Sequence, residues 1–350
     1  MSAASARLLF IPVSGPRGMG EYARCLALAT ALRLRAPEVE AHFVLSRAAP
    51  YAADTPFATT LLPSSATFHP REVSALIREL APRVVVFDNA GRTAQLRAAH
   101  AAGARVVWVS SRRRQRRKAF RLRWMRMIDE HWIAYPQFIA GAPSLIERLK
   151  LAILQRPRIR YVDTLLPAAD PARAAGCLAR FGLASGRYVL IVPGGGSSHP
   201  GAERAPAIVA AAARAIARRG EPTLLVGQDA ADGGERPPRL EVAARLPPAE
   251  LVELIRSARL VVCNGGDTLL QALACARPCV AVPIAHDQAH RIDCCVRAGL
   301  ATRAELAPQA IESAAFAALE RGPGPRDPTG EARVRDCMEE VLDALGRMLA

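Results

Sequence analysis

Residues 260–291 read LVVCNGGDTLLQALACARPCVAVPIAHDQAHR, and this stretch decides the fold. An apolar run over 260–263 halts at Asn264-Gly265-Gly266. Asp267-Thr268 then opens a run with helical spacing to residue 276. A second apolar run, 280–284, is followed by His286-Asp287-Gln288 and another helical stretch to residue 298. Short apolar runs alternating with helices are the pattern of a parallel sheet covered on both faces. A glycine turn lets a phosphate approach the backbone, and a helix start offers N–H groups with partial positive charge. Asp287 and Gln288 pair a carboxylate with an amide, which suits either vicinal sugar hydroxyls or helix capping.

The same grammar extends in both directions. Upstream, VLIVPGGGSSHPGAE (189–203) is a strand followed by Gly194, Gly195 and Gly196, then Ser197, Ser198 and His199 before a helix. No Gly-Lys-Ser/Thr follows, so this is not a Walker A loop. It reads either as a second anion-accepting turn or as a tight strand-to-helix connection. Further strands are expected over 223–227, with helices over 202–218 and 249–258. In the first half, strands are expected over 8–14, 41–45, 83–88, 105–110 and 131–134, and helices over 21–35, 71–80 and 94–102. The Pro/Ala stretch 167–171 reads as a linker. The chain is therefore expected to be α/β, with Rossmann-like domains over 1–165 and 175–330 and a terminal amphipathic helix within 331–350. In open sheets of this kind ligands sit off the carboxyl ends of the strands, so the loops there carry the information.

The 350 residues suit two domains. Hydrophobic residues make up 51%, enough for ordinary buried cores, and no apolar run approaches a membrane span. The chain starts straight into a strand without a signal-peptide pattern, which predicts a cytoplasmic protein. Eight cysteines without paired CxxC units read as buried reduced thiols rather than a zinc site. The formal net charge of +15 points to a polyanionic partner.

The first loop, in RLLFIPVSGPRGMGEYARCLALATAL (7–32), holds Gly18 and Gly20 as further phosphate-loop candidates and then Glu21. Glu21 reads as a general base, or as a first-turn glutamate that the helix dipole favours. Asp88, closing the strand VVVFD, is the rival base.

The run 260–288 resembles the donor-binding region of GT-B glycosyltransferases, and the PGGGSSHPG loop is similar to that of MurG-like transferases. RLPPAELVELIRSARLVV (245–262) resembles the segment that precedes that site. GMGEYARCLALATAL and VVVFDNAGRTAQLRAAHAAGARVVWVSS resemble segments of PseG-type UDP-sugar hydrolases, which share the GT-B fold. The resemblance implies a GT-B arrangement with a cleft between the domains. It implies a nucleotide-sugar donor, UDP-linked by expectation, held by Gly195, Gly196, Ser197, Ser198, Asn264, Gly265, Gly266, Asp267 and Thr268. Arg245 and Leu246 would border the base, and Asp287 and Gln288 would hold the sugar. Gln271 stands where an acidic ribose ligand is usual, Glu21 where PseG-type enzymes carry a histidine, and Asn89-Ala90 where an aromatic residue is more usual. The implied reaction is inverting transfer to an acceptor hydroxyl, of a lipid-linked or cell-envelope glycan among others, with no metal and no cofactor. Hydrolysis of the nucleotide sugar, or binding without catalysis, are the alternatives.

SSRRRQRRKAFRLRWMRMIDEHW (110–132) packs nine Arg or Lys between Arg112 and Arg126, with Phe120, Leu122, Trp124 and Met125 interleaved. As one helix it would set cations such as Arg113, Arg114, Arg116, Arg117 and Lys118 beside an apolar edge containing Trp124. That arrangement suits an anionic membrane surface, and would place the protein peripherally at the inner face of the cell membrane. A solvated basic face is the alternative; no nucleic-acid motif accompanies the run.

Overall fold

The computed structural model describes residues 6–16, 19–194, 203–227, 236–322 and 333–350. The chain divides into two compact units, one of Met1–Leu165 with Asp336–Ala350 and one of Leu166–Arg335. The first unit runs β1 (Arg7–Pro12), α1 (Gly20–Arg35), β2 (Glu40–Ser46), β3 (Ala58–Leu62), α2 (Pro70–Leu80), β4 (Val84–Asp88), α3 (Thr93–Ala101) and β5 (Arg105–Ser110). It continues with α4 (Arg113–Ala119), α5 (Leu122–Met125), β6 (Glu130–Ile133), α6 (Gln137–Ala140), α7 (Leu145–Leu154) and β7 (Arg158–Tyr161). The second runs α8 (Pro171–Arg180), β8 (Val189–Val192), α9 (Ala205–Arg218), β9 (Thr223–Val226), β10 (Leu240–Ala243), α10 (Pro248–Ser257), β11 (Leu260–Asn264) and α11 (Asp267–Ala274). Then come β12 (Cys279–Val282), α12 (His286–Arg297), β13 (Thr302–Arg303) and α13 (Pro308–Arg321). Helix α14 (Met338–Leu349) returns to the first unit.

Among the described residues each unit has one parallel sheet, ordered β3-β2-β1-β4-β5-β6-β7 in the first and β10-β9-β8-β11-β12-β13 in the second. Both are doubly wound. The central strands VVVFD and LVVCN are almost wholly buried because helices cover both faces. In the first unit one face of the sheet packs on α1 and α14 and the other on α2 and α3, with Trp108 and Trp124 meeting edge to face at 4.8 Å. In the second, α9 and α13 cover one face with alanines, valines and isoleucines. The strand order reverses between β1 and β4 in one sheet and between β8 and β11 in the other. Loops leaving neighbouring strands diverge there and open a crevice at the carboxyl end.

Several boundaries differ from the sequence reading. Strands β3, β7, β10 and β13 were not foreseen; they are short edge or near-edge strands whose sequences, such as RIRY and LEVA, mix polar and apolar residues. The expected linker 167–171 ends in a helix start: Asp170 caps α8, accepting from the Arg173 N–H at 2.9 Å, with Pro171 in the first turn. The terminal helix begins at Met338, and it belongs to the first unit's core rather than standing apart. Its Glu340 meets Arg160, which also holds the buried Glu130. No described helix is long and apolar enough to cross a membrane.

His131 on β6 lies wholly inside this core, its Nε2 bonded to the Ser110 hydroxyl at 2.8 Å. Burial, reinforced by the nearby Arg116 charge, pulls its pKa down to about 3. The unfolded chain protonates this imidazole near pH 6.5 and the folded one resists until about 3, so its stability contribution is complete above 6.5 and lost as pH falls between those values. Unfolding free energies from urea titrations at pH 7, 6, 5 and 4 should therefore fall more steeply in the wild type than in His131→Gln, by about 1.4 kcal/mol per pH unit inside that window. Parallel slopes would show that His131 does not supply the proton linkage.

Candidate functional site

At the first switch point the chain leaves β1 through Ser14, whose hydroxyl accepts from the Ser46 N–H at 2.7 Å, and enters α1 at Gly20. Glu21 follows in the first turn, half-buried. Across the crevice β4 ends at Asp88, and Asn89 turns the chain with φ +52°, a left-handed conformation that asparagine tolerates. The Asn89 amide nitrogen donates to Glu21 Oε1 at 3.0 Å and lies 2.5 Å from the Ser111 hydroxyl. Its Oδ1 accepts from the Ser111 N–H at 2.9 Å, and its backbone carbonyl accepts from Gln115 Nε2 at 3.0 Å. One side chain thus laces together the loops after β1, β4 and β5.

The two acids placed here have different surroundings. Asp88 is fully buried, and Arg24 grips both its oxygens, Nε to Oδ2 at 2.8 Å and Nη2 to Oδ1 at 3.1 Å. Burial and the Asp88 charge push the neighbouring Cys25 thiol well up. Glu21 sits outside that pair, three residues before Arg24 on the same helix. The Tyr51 ring stacks on Tyr22 at 4.1 Å, and burial together with the Glu21 charge raises its hydroxyl to about 12, so it stays protonated.

At the second switch point Asn264 bends back, its Oδ1 accepting from the Gly266 N–H at 3.0 Å. A Cβ on Gly194, at φ +116°, would stand 2.2 Å from Asn264 Nδ2, so the exits of β8 and β11 touch. Gly266 precedes α11; Asp267 is its first residue, complementing the helix dipole, and Thr268 and Gln271 lie half-buried on its first two turns. The Asp267 carboxylate puts negative charge at the start of α11. Arg291 on α12 supplies the opposite charge, donating to the Gly265 carbonyl from a buried position. Gln288 is a cap: its Oε1 accepts from the N–H groups of Ile284 at 3.0 Å and Ala285 at 3.3 Å, leaving only its amide nitrogen for a sugar. Leu246 is buried in the core while Arg245 is exposed. Gly18, Gly195, Gly196, Ser197, Ser198 and His199 lie outside the described residues, as does the side chain of Asp287.

Sequence reasoning missed the roles of Asn89 and Arg291. An asparagine directly after a buried strand, and an arginine one helical turn beyond Gln288, were the available signals. The basic run also needs correcting. It forms two short helices, α4 and α5, and Phe120, Trp124 and Met125 are buried in the sheet's core rather than lining an outward edge. Trp124 points inward to donate to the Thr93 hydroxyl at 3.1 Å. Of the cations, Arg113, Arg114 and Arg117 are exposed, whereas Arg116 turns in to the Ala140 carbonyl at 2.5 Å. Partial burial, then the charges of Arg92, Arg114 and Arg121, lower the Lys118 pKa.

Gly265 is where α12 approaches the turn most closely: an added Cβ would lie 2.8 Å from Ile292 Cγ1 and 2.9 Å from Gln288 Cβ. Gly265→Ala should therefore cost about 1–3 kcal/mol in urea unfolding, the usual price of overpacking. A variant as stable as the wild type would show that α12 can retreat freely.

No family model matches the sequence, and no curated protein is significantly similar to it. Solved structures do share its fold. The spinosyn forosaminyltransferase SpnP superimposes with a TM-score of 0.68 at 14% identity, covering 98% of this chain and 99% of its own. The calicheamicin glycosyltransferase CalG4 gives 0.64 at 17% identity, with 99% of each chain covered. UGT89C1 of Arabidopsis thaliana, in complex with UDP, gives 0.65 at 13% identity, covering 99% of this chain and all of the other. The chain therefore has the α/β, two-sheet fold of GT-B glycosyltransferases.

Proposed function

We propose that the protein is a glycosyltransferase that moves a sugar from a nucleotide diphosphate sugar, UDP-linked by preference, to an acceptor hydroxyl, with inversion and without a metal ion. The observation that carries this reading is the Asn264–Thr268 turn at the β8/β11 switch point, where a phosphate-sized anion would meet backbone N–H groups at the start of α11. Fold likeness to glycosyltransferases, one of them a UDP complex, supports the class.

In this reading the second unit holds the donor. Gly265, Gly266 and Thr268 approach the diphosphate, Arg291 offsets its charge from behind the turn, and Asp287 and the Gln288 amide nitrogen take sugar hydroxyls. The resemblance to MurG-like transferases assigns Gly195, Gly196, Ser197 and Ser198, outside the described residues, to the same phosphates. The first unit supplies the base. Glu21 takes the proton from the acceptor hydroxyl as that oxygen attacks the anomeric carbon. The bond from that carbon to the diphosphate breaks, and the nucleoside diphosphate leaves with the electron pair, stabilised by N–H groups already in place. Asn89 grips Glu21 Oε1 and so orients the carboxylate, leaving Oε2 as the proton acceptor. Asp88 is unsuited to the task, because protonating it would break its pair with Arg24 inside the core. The resemblance to MurG-like transferases favours a lipid-linked or cell-envelope acceptor and a place at the inner face of the membrane.

Nucleotide release from a set of UDP-, GDP- and dTDP-sugars, with and without membrane extract, tests the class. Release only with extract supports transfer. Release without it makes the protein a hydrolase, and binding without release makes it a non-catalytic receptor. Turnover should persist in EDTA; a loss that magnesium restores would overturn the metal-free mechanism. Glu21→Gln should cut turnover by about 10²–10⁴ with donor affinity unchanged. Asp88→Asn should instead lower stability, by about 3–5 kcal/mol for a broken buried pair. Normal turnover in Glu21→Gln would remove it from the mechanism.

A further inference from the structure

Helix α7, LIERLKLAIL, connects β6 to the edge strand β7 and buries none of its residues fully. Leu145, Ile146, Leu149 and Ile153 are 75%, 67%, 61% and 71% exposed, whereas most large apolar residues of the chain are buried. At about 100° per residue these four fall within one arc of about 100°. Arg148 and Lys150 flank the arc on its two sides. The helix's only acid, Glu147, lies on the opposite side and caps the N-terminus with Ser144. The outward face is thus apolar with a cationic border, an arrangement that lets lysine and arginine stems lie along an apolar surface.

This face adjoins the basic run. Lys150 Nζ donates to the Phe120 carbonyl, between α4 and α5, at 3.3 Å, and Arg116 of α4 donates to the Ala140 carbonyl just before α7. Arg113, Arg114, Arg117 and Arg121 are exposed there, and Leu122 is exposed among them. We propose that α7 is an interfacial helix that inserts its apolar face into an anionic lipid bilayer while the arginines of α4 and α5 meet the headgroups. Charge complementarity selects this occupant: a second copy of the chain would bring two arginine clusters together, which costs rather than stabilises. An apolar face bordered by basic residues is the physical requirement for such insertion. The proposal rests on this surface alone and stands whatever reaction the protein performs.

The test is co-sedimentation of the full chain with vesicles of phosphatidylglycerol and phosphatidylcholine, against vesicles of phosphatidylcholine alone. The wild type should bind the anionic vesicles, and binding should fall steeply between 0.15 M and 1 M salt, where the screening length shortens from about 8 Å to about 3 Å. Leu149→Glu with Ile153→Glu should weaken it about tenfold or more, because two apolar side chains leave the bilayer and two acids enter it. Arg113, Arg114 and Arg117→Gln should weaken binding to anionic vesicles and reduce its salt dependence, with Arg121, Arg148 and Lys150 still in place. Both sets are exposed, so thermal unfolding should remain that of the wild type. Absence of wild-type binding, or binding untouched by the α7 changes, overturns the proposal. So does a wild-type dimer in sedimentation velocity that Leu149→Glu splits, since a second copy would then cover the face. Retention on RNA with the same salt dependence but no response to the α7 changes would assign the arginines to a nucleic acid and equally overturn it.

Discussion

The Arg24–Asp88 pair is the constraint on which the first unit's site depends. A carboxylate with no solvent contact closes the central strand β4, and a guanidinium from α1, itself only 12% exposed, binds both its oxygens. Taking two such charges out of water costs several kcal/mol each, which only close, bidentate geometry offsets. That geometry fixes the rotation of α1 about its axis and its height over the sheet. Glu21, one turn earlier on the same face, is thereby brought to Asn89, the residue after Asp88. The backbone supports the same placement: Val13 N–H donates to the Asp88 carbonyl, and Asn89 N–H to Val109.

The second unit solves the same problem with backbone rather than with a buried ion pair. Three close approaches define its switch point: Gly194 against the Asn264 amide, Gly265 against α12, and Gly266 against the Asn264 carboxamide oxygen. Side chains at any of these positions would have to displace a neighbour, so space favours glycine at all three, and at Gly194 the positive φ of +116° favours it as well. Arg291 then clamps the turn through the Gly265 carbonyl from α12, so strands β8 and β11 and helices α11 and α12 all converge on a few residues. An anion site built from backbone N–H groups needs this rigidity, because those groups gain nothing from a ligand if they must first be ordered.

The central strands were legible because burial on both faces writes an unbroken apolar run, as in VVVFD and LVVCN. The glycine turn after β11 was legible because asparagine and glycine stop such a run. Edge strands were not, since a strand with one paired side tolerates the Arg and Glu of RIRY and LEVA. The return of α14 to the first unit is a long-range event; its sequence shows an amphipathic helix but not the sheet it packs on. At the site, residue types were readable and commitments were not. Nothing local distinguishes Asp88, gripped through both oxygens by Arg24, from Glu21, held by Asn89, and nothing shows that Gln288 spends its oxygen on two backbone N–H groups.

The basic run shows why residue counts mislead about surfaces. Interleaved arginines and aromatics suggest a single amphipathic helix, yet here the chain breaks at Phe120–Arg121 into two short helices, α4 and α5. The break lets Phe120, Trp124 and Met125 turn inward beneath the arginines. Trp124 fills the space beside Trp108 and finds a partner for its indole N–H in Thr93, which a bilayer core could not offer. Apart from Leu122, the outward apolar residues beside these arginines belong to α7, a segment of ordinary composition with no charge run to mark it. Helix α7 precedes the edge strand β7, and even Leu151 and Leu154, on the side away from the exposed arc, are only half-buried. Leucine and isoleucine on its outer face add nothing to the core. The lipid surface proposed above is what would cover them.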